Sequence, residues 1–217
     1  MIDFSQARGA MIDGQLRPQR IIDPALLDAM AQLPREQFVP KNQARLAYAD
    51  RDIPISRNRS MLSPLKTAHL IQALELTPAS LVLDVGCGMG YTSAVLTRLA
   101  GAVIAVEPEK SLRTHAEGAL QEFACDNVAV FKASLKAGYP EQAPYDGILL
   151  AGGCAQIPKT LTDQLAVGGR LATILCGQDG SCLRVYRKTA HNLDPFDVWE
   201  THAPFMPGLE PRQTFAL

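Results

Sequence analysis

Val82-Leu83-Asp84-Val85-Gly86-Cys87-Gly88-Met89-Gly90-Tyr91 joins an apolar run to three glycines and then to a segment with helical spacing. The apolar run reads as a strand and the segment after Gly90 as a helix. The glycines therefore stand where the backbone must turn sharply and approach a ligand, with helix N–H groups facing an anionic group. A dinucleotide fingerprint would need a glycine at position 91, which is Tyr91, and no Gly-Lys-Ser/Thr follows to make a phosphate-cradling loop.

Outward from this turn the pattern repeats. The runs Leu81-Val82-Leu83, Val103-Ile104-Ala105-Val106, Val128-Ala129-Val130-Phe131, Ile148-Leu149-Leu150 and Leu171-Ala172-Thr173-Ile174-Leu175 read as strands buried on both faces, the habit of parallel sheets. Between them, residues 91–100, 108–123 and 157–165 carry helical spacing. The second opens on Pro108-Glu109, and the third is closed by Gly168-Gly169. Such alternation predicts an α/β fold with a doubly wound, mostly parallel sheet. Leu183-Arg184-Val185-Tyr186 and Phe196-Asp197-Val198-Trp199 alternate like antiparallel strands that extend one sheet edge.

Residues 1–80 read as a mostly helical N-terminal region. Asp23-Pro24 opens one helix with Leu26, Leu27 and Met30, and Ser63-Pro64 opens another with Leu70, Ile71 and Leu74. Residues 52–61, polar and arginine-rich, read as a loop. No linker or repeat divides the chain, so residues 1–217 are expected to form one domain, with 81–217 as its sheet.

Composition narrows the partners. The 217 residues include 21 Lys+Arg against 22 Asp+Glu, and 47% are hydrophobic, enough for a sizeable core and too neutral for a broad nucleic-acid-binding face. The five cysteines are odd in number and lack a Cys-x-x-Cys pair, which suits reduced thiols in a cytoplasmic protein. Met1-Ile2-Asp3-Phe4-Ser5 has an early acid and no apolar stretch, so no signal or transit peptide is expected there. No run approaches the roughly 20 apolar residues of a membrane span. Neither a nucleic acid nor a membrane is expected as a partner. His115, His191 and His202 share no ligand spacing, and no metal site is expected.

Asp84-x-Gly86-x-Gly88-x-Gly90 at the first strand end, with Glu107 closing the second strand 21 residues beyond Gly86, resembles the motif pair of class I S-adenosylmethionine-dependent methyltransferases. Glu107 stands where a carboxylate accepts hydrogen bonds from two ribose hydroxyls. Further segments narrow the match: Gln15-Leu16-Arg17, Leu33-Pro34-Arg35-Glu36-Gln37-Phe38-Val39-Pro40, Ile53-Pro54-Ile55, Ala143-Pro144-Tyr145-Asp146 and Gly168-Gly169-Arg170-Leu171. Together they resemble the protein-L-isoaspartate O-methyltransferases, repair enzymes that methylate the free carboxyl of isoaspartyl residues, and the resemblance runs to about Leu175.

The resemblance implies a Rossmann-like methyltransferase fold, S-adenosyl-L-methionine as cofactor with S-adenosyl-L-homocysteine as product, and isoaspartyl peptides or proteins as substrate. It places cofactor contacts at Asp84, Gly86, Cys87, Gly88, Gly90, Tyr91, Glu107, Pro108, Ser134 and Leu135, with Asp84 near the methionine end and Ser134 near the adenine. It places substrate contacts at Leu62 and Ser63, with the catalytic hydroxyl at Ser63; Arg57 and Arg59 are expected to grip the acidic groups of an isoaspartyl peptide, because arginine forks match carboxylates. Three segments depart from the family's wording. Thr-Ile-Ser becomes Met61-Leu62-Ser63, with the proline moved to Pro64; Gly-Asp-Gly becomes Ala133-Ser134-Leu135; and Thr-Ala-Ala-Ala becomes Ala151-Gly152-Gly153-Cys154.

Each residue also has a plainer role. Ser63 suits a helix N-cap, Arg57 and Arg59 a solvated loop, Cys87 small-residue packing and His69 a packed helix face. Alternative functions are a family member acting on a different small acceptor, or a non-catalytic binding protein with the same fold.

Overall fold

The computed structural model describes residues 3–177 and 180–211; Met1 and Ile2 of the opening stretch lie outside the described residues. Its centre is a seven-stranded sheet in the order β5-β4-β3-β6-β7-β8-β9. The strands are β3 Leu81–Val85, β4 Ala102–Val106, β5 Val128–Phe131, β6 Tyr145–Cys154, β7 Leu165–Gly177, β8 Gly180–Lys188 and β9 Leu193–Glu200. The pairs β3/β4, β3/β6, β4/β5 and β6/β7 are parallel, whereas β7/β8 and β8/β9 are antiparallel. The chain runs outward from β3 through β4 to β5 and returns to β6 on the other side. Its direction therefore reverses between β3 and β6, the place where open α/β sheets hold ligands.

Both sheet faces are covered, which is why the parallel strands are apolar at successive positions. Val82, Val103, Ala105 and Leu149 face one core with Leu26, Met30, Leu70, Val95 and Ala116. Leu83, Val85, Ile104 and Leu150 face the other with Leu161, Met206 and Leu209. Each Val, Leu, Ile or Met among them contributes about 1.5–3 kcal/mol through burial.

The helices are α1 Phe4–Met11, α2 Pro24–Gln32, α3 Pro64–Gln72, α4 Tyr91–Leu96, α5 Lys110–Glu122 and α6 Lys159–Asp163. Asp23 caps α2 by accepting the N–H groups of Ala25 and Leu26. Two expected helices are shorter than their spacing suggests. The one expected at 91–100 ends at Leu96, and the one at 157–165 ends at Asp163, after which Leu165 already pairs with Tyr145. Gly168 and Gly169 thus lie within β7 and do not close the preceding helix.

The larger correction concerns residues 52–61. In place of a loop they form an antiparallel hairpin, β1 Ile53–Ser56 and β2 Arg59–Met61, joined by Arg57-Asn58. Ile53, Arg59 and Met61 turn inward and are buried. An inward arginine breaks the apolar alternation by which a strand is recognised, and the hairpin makes the N-terminal third less helical than expected.

Candidate active site

The turn after β3 is held by its own neighbours. Gly86 and Gly88 adopt φ of 76° and 59°, where a side chain is strained. A Cβ on Gly88 would stand 2.7 Å from Ile55 Cδ1 of the hairpin. Gly90 serves packing: a Cβ there would meet Ala116 of α5 at 3.1 Å. Cys87 is buried, and that burial pushes its thiol well above the usual range, which disfavours the thiolate a nucleophile needs.

Asp84 is fully buried, and desolvation raises its pKa to about 6 against the pull of two hydroxyls. Ser93 Oγ and Thr92 Oγ1 each donate to its Oδ2 at 2.6 Å, while Oδ1 has no partner. Tyr91 is buried under the guanidinium of Arg35, 4.6 Å from its ring centroid, and its hydroxyl is likewise without a partner. Arg35, wholly buried, also donates to the carbonyls of Ala47 and Leu62. It fixes the exit of the hairpin against the first turn of α4.

Glu107, at the end of β4, is completely buried and accepts four hydrogen bonds. Two are backbone N–H groups, Gly88 at 2.8 Å and Glu109 at 3.1 Å. The other two come from Arg59 Nη1, at 3.0 Å to Oε1 and 2.9 Å to Oε2. Arg59 Nη2 donates to the Gly86 carbonyl at 2.6 Å. Arg59, expected to hold an isoaspartyl carboxylate or to lie in solvent, instead binds the chain's own carboxylate, 48 residues away.

The remaining expected residues divide. Leu62 lines the inner cleft beside Gly86 and Tyr91. Pro108 lies on the outer rim with Arg57, which is exposed. Leu135 packs over Gly86, whereas Ser134 is exposed and its Oγ accepts the Lys136 N–H. Ser63 is buried as the N-cap of α3, its Oγ 3.4 Å from Lys66 N, and Asp52 accepts its N–H at 2.8 Å. His69 is half-buried against Trp199, ring centroids 4.9 Å apart, and burial lowers its pKa.

Sequence reading missed Ile55, Thr92, Ser93 and Met206. The hydroxyl pair in the first turn after an acid-ending strand was a usable signal. Met206 was not readable. The segment 203–209 runs parallel beside the end of β6, where the Gly153 N–H donates to the Pro204 carbonyl and the Gly153 carbonyl accepts the Met206 N–H, and it sets Met206 against Gly86 and Gly152. A Cβ on Gly153 would meet the Ala203 carbonyl at 2.6 Å, which explains why Gly152-Gly153 stand where the family carries alanines.

The donor set suits S-adenosyl-L-methionine: a dicoordinate carboxylate at Glu107 for a ribose diol, and an orphaned buried oxygen on Asp84 for an ammonium group. The space does not suit it. Arg59 occupies both Glu107 oxygens, and Met206, Leu135 and Ile55 fill the glycine turn. A ligand diol at Glu107 would compete with the Arg59 guanidinium for the same two oxygens.

The profile of the family described as Protein-L-isoaspartate(D-aspartate) O-methyltransferase matches residues 6–198. A Pelobacter propionicus protein named protein-L-isoaspartate O-methyltransferase 2 is 42% identical over 164 residues, which is 76% of this chain and 73% of that protein. A Roseiflexus castenholzii protein-L-isoaspartate O-methyltransferase is 38% identical over 88% of both chains. Among solved structures, a protein-L-isoaspartate O-methyltransferase superposes with a TM-score of 0.81 at 23% identity, covering 94% of this chain and 67% of that one. A Plasmodium falciparum structure carrying the same family name, in complex with S-adenosyl-L-homocysteine, gives 0.78 at 19% identity, covering 90% and 96%. The chain belongs to the protein-L-isoaspartate O-methyltransferase family of S-adenosylmethionine-dependent enzymes.

Proposed function

We propose that this chain methylates the free carboxylate of L-isoaspartyl or D-aspartyl residues in peptides and proteins, using S-adenosyl-L-methionine. The observation that carries the reading is the Asp84–Gly86–Gly88–Glu107 arrangement at the sheet's reversal point in a chain whose family has that activity. The chemistry asks little of the protein's acids and bases. A carboxylate acceptor with an ordinary pKa is ionised at neutral pH, so placement and exclusion of water suffice and no general base is required.

In this reading Ser63 orients the acceptor. Its Oγ accepts the Lys66 N–H and so retains a hydroxyl proton to donate to a carboxylate. Leu62 lines the methyl-accepting side, and exposed Arg57 meets acidic groups of the peptide at the rim. The cytoplasm is the proposed compartment, consistent with five free cysteines and with no helix among the described residues long and apolar enough to cross a membrane.

The test is incubation with labelled S-adenosyl-L-methionine and an isoaspartyl peptide. A base-labile methyl ester is expected; its absence at every pH overturns the activity. A second reading, a non-catalytic binding protein with the same fold, is favoured by one observation, the Arg59–Glu107 pair that already occupies the Glu107 carboxylate. Absence of measurable binding of S-adenosyl-L-methionine or S-adenosyl-L-homocysteine by calorimetry selects it.

A further inference from the structure

Arg59 borders two spaces in one cleft. On its inner side, among Leu62, Gly86, Gly88, Tyr91 and Thr92, lies a narrow space of about 20 Å³, room for about one water molecule. On its outer side a depression of about 490 Å³ opens beside Arg57, Glu107, Pro108 and Glu109. Arg59 lines both spaces, so its side chain lies where the two adjoin.

We propose that Arg59 is a latch that occupies the ribose position of the cofactor site and must swing outward before a nucleoside ligand can bind across both halves. The inference rests on the cofactor reading above and adds its control. The guanidinium takes from Glu107 the two hydrogen-bonding positions a ribose diol would use, and it takes the Gly86 carbonyl as well. The fork geometry of arginine is what permits this triple hold; an ammonium group would not span it.

The closed arrangement is stable without being fully satisfied. Arg59 and Glu107 side chains are 4% and 0% exposed, so removing one partner alone would leave a buried charge. Yet Arg59 Nε is buried with no partner, so withdrawal to water recovers one hydrogen bond the closed state lacks. Glu107 keeps its two backbone N–H partners when the arginine leaves. Glu109 on the outer rim, already accepting from Ser56 Oγ at 2.8 Å, offers a carboxylate for the released guanidinium. The cleft thus has a place for Arg59 in either position.

A closed latch weakens apparent affinity by the fraction of molecules that are open, so 1% open means about a hundredfold weaker binding. The experiment is calorimetry of the full chain with S-adenosyl-L-homocysteine, comparing the natural protein with Arg59→Ala, Arg59→Lys and Met206→Ala. Arg59→Ala is expected to bind at least tenfold more tightly, Arg59→Lys to fall between, and Met206→Ala, which keeps the ion pair, to gain less than threefold. Affinity of Arg59→Ala within twofold of the natural protein overturns the latch and leaves the cofactor reading standing. No binding by any of the four overturns both. Equal gains from Met206→Ala and Arg59→Ala assign the block to filled space and overturn the arginine's role. Should Arg59→Ala lose its fold by circular dichroism, stopped-flow binding to the natural protein decides: an association rate that saturates with ligand is expected, and a strictly linear rate overturns the latch.

Discussion

The glycine turn after β3 and the β1–β2 hairpin meet at Arg59, but they are specified over very different distances. Asp84 is tied to Thr92 and Ser93, eight and nine residues on, and the turn's positive φ angles belong to its own glycines. The hairpin's central contacts reach Gly86 and Glu107, 27 and 48 residues away. A site can therefore have one half dictated locally and the other dictated by what it must pack against. Here the second half decides whether the first is accessible.

Gly88→Val breaks this division most strongly, because it strains the turn and strikes the hairpin at once. A side chain at φ of 59° costs about 1–2 kcal/mol, and crowding Ile55 Cδ1 at 2.7 Å adds about 1–3 kcal/mol. Denaturant unfolding is expected to show a loss near 3 kcal/mol, with no S-adenosyl-L-homocysteine binding. Adding Ile55→Ala should return only the crowding part. Complete recovery would mean that the turn has no intrinsic strain and that its conformation, too, is imposed from outside.

Asp84 tests the locally specified half by itself. Its pKa is about 6 in the fold against an ordinary 3.8. Between these values the native state holds a proton that the unfolded chain has lost, so stability falls as pH rises through the window from about 4 to about 6. Two pKa units correspond to about 3 kcal/mol. The stability of the natural protein relative to Asp84→Asn is expected to drop by about 2–3 kcal/mol between pH 4 and pH 7. A flat difference would show that the hydroxyls of Thr92 and Ser93 fully offset burial.

The same contrast sets what could be read from the sequence. The sheet strands, the glycine turn, Glu107 and the caps Asp23 and Ser63 were legible, since apolar runs, positive-φ glycines and N-cap residues carry their signals within a few positions. The hairpin was not, because Arg59 at an inward position has meaning only beside Glu107. Nor was the run of residues 203–209 beside β6, whose trace in the sequence is the pair Gly152-Gly153. Of the residues named from family resemblance, those in the glycine turn and at Glu107 are held by backbone geometry close by in the fold. At Arg59 and Ser134 the side chains bind partners within the chain, Glu107 and the Lys136 N–H, that no local pattern announces.

Ser63 separates a structural from a chemical role inside the hairpin's exit. Ser63→Ala removes an N-cap whose hydrogen bond is long, 3.4 Å, so a stability loss of about 0.5–1 kcal/mol is expected, while the Asp52 bond to the Ser63 N–H persists. A fall in kcat for isoaspartyl peptide beyond tenfold, with that small stability change, marks acceptor contact. An unchanged kcat reduces Ser63 to a cap.

The smallest effect on stability is expected two residues from the largest rearrangement. Arg57 and Arg59 sit on the same hairpin, one exposed at its turn and one buried at its root. Arg57→Ala should change stability by less than about 0.5 kcal/mol, since an exposed arginine contributes little to folding. If Arg57 meets the acidic groups of the substrate, the same change raises KM for an isoaspartyl peptide several-fold, leaves cofactor affinity untouched, and loses its effect at high salt. A shift in cofactor affinity equal to that of Arg59→Ala would instead mean that the two arginines move as one unit, and that the hairpin, not the Arg59 side chain alone, is what opens.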